Sequence, residues 1–153
     1  MVTVRDVDKI LSLLRRVYEV VVIDTPAALT DTTLSFLDAC DTIVEIITFD
    51  STTIHNTLAM ADTFRSIGYP PSKVRYLVNR ADSSGGMAID ELASVIGRVP
   101  EHYVVSDGRL VMQANNGGVP FVLAEPGAQV SQDITRVAME LLVGEPVPVG
   151  ARR

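Results

Sequence analysis

Four consecutive β-branched residues, Val20 to Ile23, run straight into a carboxylate at Asp24 in the segment YEVVVIDTP. An uninterrupted apolar run of this length suits a strand covered on both faces, which is the condition of strands in parallel sheets. Three further short runs have the same character: Thr42–Thr48 (TIVEIIT), Val74–Val78 (VRYLV) and Tyr103–Val105. Parallel neighbours need long crossovers, and the intervening segments supply them. Val4–Tyr18 carries apolar residues at Val4, Val7, Ile10, Leu11, Leu14 and Val17, the spacing of one helical stripe. Helices are also expected over Thr30–Ala39, Ser51–Ile67, Ala88–Ile96, Arg109–Asn115 and Val130–Val143, with Phe121–Leu123 extended. Gly68 with Pro70-Pro71, Gly97 and Gly117-Gly118 punctuate the helix ends. Alternating strands and helices point to right-handed βαβ units in an open, mostly parallel sheet with helices on both faces. Residues 1–143 read as one domain and 144–153 (GEPVPVGARR) as a loose tail.

Composition narrows the function classes. With 47% hydrophobic and 21% charged residues the chain is globular. Cys40 is the only cysteine, which excludes a disulfide framework and a CxxC metal site and fits a cytoplasmic protein. The opening MVTVRDVDKILSLLRR lacks the apolar core and cleavage site of a secretory leader, and no apolar run approaches the length of a membrane span. The net charge is −6 and the 13 basic residues are scattered, so neither direct nucleic-acid binding nor membrane insertion is expected.

Open parallel sheets bind ligands at the carboxyl ends of their strands. The residues to read are therefore Asp24-Thr25-Pro26, Thr48-Phe49-Asp50, Asn79-Arg80-Ala81-Asp82 and Ser106-Asp107. Asp24, at the tip of a buried run, can hold Mg²⁺ through water beside nucleotide phosphates, or it can shape a turn. The Asn79 amide both donates and accepts, which matches a purine edge and equally suits a strand-end turn. Arg80 can meet phosphate or water, and Asp82 is expected to face solvent in the flexible Ser83-Ser84-Gly85-Gly86 loop. His55 and His102 have no partner at metal-like spacing and read as structural or surface residues, and Cys40 as a small buried hydrophobe.

Taken together, YEVVVIDTPAALTDTTLSFLDACD, ITFDSTTIHNT, GYPPSKVRYLVNRADSSGG and SDGRLVMQANNGGVP resemble the later part of a MinD/ParA-type P-loop ATPase, and most of all its CpaE-like, pilus-assembly branch. The resemblance runs from about Val4 to about Leu142. It implies a partial SIMIBI-class fold with ATP and Mg²⁺ as cofactors. Asp24 would be the Walker B acid acting on Mg²⁺ through water, and Thr25 to Ala28 the switch II turn that includes Pro26. Asn79 would contact adenine with Arg80 close by. Ser106 and Asp107 would lie in the loop that covers the base or shapes a dimer face. Ala28 stands where the family has Gly, Phe49 where it has the Pro of T-P-D, and Val105 where it has the Pro of I-P-x-D.

The resemblance also implies a Walker A loop, and no GK[ST] occurs in the 153 residues. The family's P-loop strand would sit beside the strand ending at Asp24, so its lack leaves one sheet edge open. That implies a homodimer or another association through the edge, with pilus or secretion proteins as further partners. On this reading the chain does not bind ATP competently alone. Two alternatives follow from the same residues: an interaction module that has lost its nucleotide, or part of a chromosome- or plasmid-partitioning ATPase. No Ser-His-Asp order or carboxylate pair supports an unrelated enzyme.

Overall fold

A computed structural model describes residues 4–83 and 89–143. The tail expected over 144–153 and most of the Ser83–Gly86 loop lie outside the described residues. By its internal contacts the chain divides into two units, Met1–Ile43 and Val44–Arg153.

The first unit holds α1 (Val4–Val17) and α2 (Asp31–Ala39). Helix α1 buries Val7 and Leu11, two positions of its apolar stripe, and carries Asp6 in its first turn and Arg15-Arg16 in its last, as the helix dipole favours. The Arg15 guanidinium donates to the Ala39 carbonyl at the end of α2, satisfying an orphan acceptor. Thr30 caps α2, its Oγ1 accepting from Thr33 N at 3.2 Å.

Between these helices the expected strand Glu19–Asp24 does not form. The segment belongs to no helix or ladder, and Val20 and Val22 are 52% and 91% exposed. A strand requires a neighbour for its N–H and C=O groups, and among the described residues none pairs with this run. The apolar run therefore has neither the pairing nor the burial expected of it.

The second unit is built on an open parallel sheet of three strands, β1 (Ile43–Ile47), β2 (Val74–Asn79) and β3 (His102–Val104), in the order β1-β2-β3. Strands β2 and β3 pair in parallel, with Leu77 opposite His102, Val78 opposite Tyr103 and Asn79 opposite Val104. Helices cover both faces. On one, Leu77 and Val104 pack with Val130 and Val137 of α7 (Gln129–Val143), and Val44 joins them from β1. On the other, the alternation of β1 turns Glu45 toward α3 (Ser51–Ser66), where Thr57 hydrogen-bonds it. Asp50 caps α3 by accepting from Thr53 N at 2.8 Å. A left-handed Gly68 (φ 84°) follows its end.

Helix α4 (Ile89–Ile96) lies between β2 and β3 in the chain, and α5 (Gly108–Gly117) follows β3. Phe121–Leu123, expected to be extended, lies instead in a single helical turn, α6 (Phe121–Ala124), started by Pro120. A three- or four-residue apolar run has no periodicity to separate the two states, and Pro at the N-cap supplies the backbone angle a helix start needs. His102, expected at the surface or as a structural residue, is 6% exposed, and its Nδ1 lies 2.8 Å from Glu140 Oε2 of α7.

Candidate functional site

The in-register pairing of β2 and β3 brings their carboxyl ends level, Asn79 beside Val104. Two loops therefore leave the sheet side by side, Arg80–Ser83 and Val105–Asp107. They are laced together: Ala81 N donates to Val104 O at 2.9 Å and Ser106 N to Asp82 Oδ1 at 2.6 Å. Four residues expected at a ligand site, Asn79, Arg80, Ser106 and Asp107, thus meet at one strand-end locus. Asp82, expected to face only water, is exposed yet serves as the tie between the loops.

Arg80 adopts φ 55° and is the one described non-glycine residue with positive φ. That conformation costs a side-chain-bearing residue ~1 kcal/mol and persists where surrounding bonds impose it. Here Ala81 N is held by Val104 O, and Ser83 N closes the turn on Arg80 O at 2.9 Å. Asn79 Oδ1 accepts from Arg80 N at 3.0 Å, which leaves the amide N–H₂ to donate to a ligand. The Arg80 guanidinium stands in solvent.

Asp107 caps α5, its Oδ1 accepting from Leu110 N at 2.9 Å. It also lines an open, mostly polar cavity of about 310 Å³ with Arg109, Leu110, Gln113, Glu125 and Ala128. Asp133 was not singled out by sequence reading. It lies on α7, 3% exposed, and its Oδ2 accepts from Val105 N at 3.1 Å. An acid in register with Val130 and Val137 on an apolar helical stripe was the available signal.

Asp24, Thr25 and Pro26 belong to the first unit. Asp24 and Pro26 are exposed and Thr25 is half-buried in the stretch before the Ala27-Ala28 bend. Beyond that bend, Thr30 N closes on Ala28 O at 3.0 Å ahead of α2. Asp24 stands as an exposed carboxylate, a hard oxygen ligand of the kind Mg²⁺ takes alongside water and phosphate. Asp50, at another strand end, is committed to helix capping. Hydrogen bonds from Thr48 and Thr53 lower its pKa to about 2. Cys40 is half-buried at the C-cap of α2, its Sγ bonded to Leu37 O. Among the described residues no three His, Cys, Asp or Glu side chains gather as metal ligands, and no helix is long and apolar enough to cross a membrane.

The open parallel sheet with helices on both faces matches the α/β fold of MinD/ParA-type ATPases. A ParA family ATPase from Chlorobium tepidum superposes with a TM-score of 0.84 at 20% identity, over 92% of this chain and 57% of that one. MinD from Aquifex aeolicus, in complex with the cell-division protein MinC, gives 0.80 at 15% identity over 99% of this chain and 64% of that one. The septum site-determining protein MinD from Pyrococcus horikoshii, in complex with Mg-ADP, gives 0.75 at 16% identity over 96% and 60%. The chain therefore spans about three-fifths of the length of the structures it matches. No protein-family model and no curated protein matches it.

Proposed function

We propose that this chain is the later portion of a MinD/ParA-type ATPase domain, and that the paired ends of β2 and β3 are its base-reading edge. The observation that carries the reading is the level register of Asn79 and Val104, which joins Asn79, Arg80, Ser106 and Asp107 into one locus on this fold. Asn79 donates its amide N–H₂ to the base. Asp24 holds Mg²⁺ through water, and the ion supplies charge neutralisation for the phosphates when it is bound. The phosphate-binding loop is contributed by a Walker A segment outside these 153 residues. ATP then favours a dimer and hydrolysis resets it. The output is spatial organisation, and the CpaE-like motifs favour positioning of a Flp or type IV pilus or secretion machine over partitioning.

A second reading is favoured by one observation, the unladdered Val20–Ile23 run with Ala28 after it. In that reading the chain is an interaction module without nucleotide, bound through its open apolar segment.

Intact mass of the native product from source cells, together with Mg-ATP titration, separates the two. The first reading expects a Walker A-bearing product. It also expects the isolated 153 residues to bind Mg-ATP more weakly than ~1 μM, roughly 8 kcal/mol. In the complete protein Asp24→Ala abolishes hydrolysis without unfolding, and Asn79→Ala erodes the preference for adenine over guanine. Undiminished turnover in Asp24→Ala removes that residue from the mechanism. A native product of 153 residues that ignores ATP establishes the interaction module.

A further inference from the structure

Three consecutive residues after β3 are each held through a different carboxylate. Val105 N donates to Asp133 Oδ2 of α7 at 3.1 Å, and Ser106 N donates to Asp82 Oδ1 at 2.6 Å. Asp107 uses its own Oδ1 to accept from Leu110 N at 2.9 Å. Only the last of these bonds is local to the loop. The other two reach it from α7, 28 residues on in sequence, and from the loop after β2, 24 residues back.

Asp133 is itself fixed. Its Oδ1 accepts from Gln129 Nε2 at 2.9 Å and from the Arg136 guanidinium at 2.8 Å, and Arg136 also donates to Tyr103 O at 3.3 Å. A carboxylate that is 3% exposed and fully hydrogen-bonded is a stiff anchor, because swinging it away would leave both the charge and its donors unpaired. Two turns further along α7, Glu140 bonds His102 at 2.8 Å, so α7 grips β3 at the strand's first residue and just past its last. The residue at position 105 must carry an N–H for this bond to form. Proline has no N–H to give, whereas Val105 has one and Asp133 takes it.

We propose that Asp133, with Asp82, is a positioning residue that sets the backbone of the Val105–Asp107 loop and thereby base selectivity at the strand-end site, with α7 as the element through which that selectivity can be altered. The selectivity half rests on the proposed base-reading role of this locus; the positioning half does not. Asp133 touches no ligand. It acts through the Val105 amide.

The test uses the 153-residue chain and two variants, Asp133→Asn and Asp82→Ala. Amide hydrogen exchange is followed by NMR, and binding of adenosine and of guanosine is followed by ligand-observed NMR, so that no phosphate contact is required. Asp133→Asn cannot accept from Val105, Gln129 and Arg136 together. It is expected to speed exchange at Val105 at least tenfold, to leave Leu77 and Val78 in β2 unchanged, and to reduce the adenosine-over-guanosine preference several-fold. Asp82→Ala, a change at an exposed residue that leaves the fold intact, is expected to release Ser106 and spare Val105. Exchange that rises evenly across the second unit makes Asp133 a general stabiliser and overturns the proposal. Local acceleration with unchanged base preference overturns its selectivity half. A native chain that shows no preference between the nucleosides refutes the base-reading site itself, and the positioning role is then decided by the exchange pattern alone.

Discussion

Glu45 gives this protein a stability that falls as the solution becomes more alkaline. It sits in the middle of β1, half-buried, between Val44 and Ile46. Thr57 hydrogen-bonds the side chain, but Oε2 is buried with no hydrogen-bond partner. Burial disfavours the charged carboxylate and outweighs the Thr57 bond, so the pKa rises from 4.5 to about 7. The neighbouring Tyr76 phenol is held above its ordinary pKa of 10.0 and stays neutral throughout this range.

The folded chain therefore keeps a proton that the unfolded chain releases. The associated stability is fully present below pH 4.5, declines as pH rises, and is lost above about pH 7. The separation of the two pKa values corresponds to ~3 kcal/mol, which partial solvent exposure reduces to ~2 kcal/mol. Glu45→Gln removes the titration while keeping the shape and the Thr57 contact. Denaturant unfolding of both proteins at pH 5 and pH 8 isolates the effect, because every other titrating group cancels in the difference. Relative to the native chain, the variant should gain ~2 kcal/mol more at pH 8 than at pH 5, or roughly 4–8 °C in Tm. A difference between the two proteins that is the same at both pH values would refute the argument, whatever its sign.

Three further perturbations address other parts of the fold. Glu140→Ala leaves the buried His102 without its partner, where both side chains are under 10% exposed, and should cost about 3 kcal/mol in urea unfolding; a loss below about 1 kcal/mol contradicts a structural role for the pair. Thr30→Ala removes the α2 cap and should cost ~1 kcal/mol, with Thr30→Ser retaining most of the stability; equal losses in both variants point away from capping. Val22→Lys, at a site 91% exposed, should change stability by no more than ~0.5 kcal/mol while reducing self-association in light scattering; unchanged association acquits the Val20–Ile23 run.

The helices and the three strands of the sheet were legible because each is set by a local pattern. The stripe of α1 lies within its helix, and the glycine after α3 lies within a few residues of the end it marks. Val20–Ile23 has the strongest strand composition in the chain and is the one expected strand that does not form. Its composition favours extension, but pairing is a property of two segments and burial a property of what covers them. Phe121–Leu123 failed for a different reason. With so few apolar residues the backbone follows the residue before them, and Pro120 sets a helix start.

The candidate site divides along the same line. Asn79 and Ser106-Asp107 were readable as strand-end residues from the apolar runs that precede them, and the level register of β2 and β3 brings them together. Asp133 and Glu45 were overlooked because both sit at positions where the periodic pattern expects an apolar side chain. Each is an acid inside a hydrophobic stripe, and each resolves the conflict in its own way. Asp133 accepts from three donors on its two oxygens, one of them the Val105 amide of the loop after β3. Glu45 has one bond and an orphan oxygen, and it resolves the conflict by holding its proton. Burial does not explain the difference between the two acids, because the more deeply buried one is the better paired. The number of donors that converge on the carboxylate does, and that number depends on residues far away in the sequence, which is why the fold had to be in hand before either role could be argued.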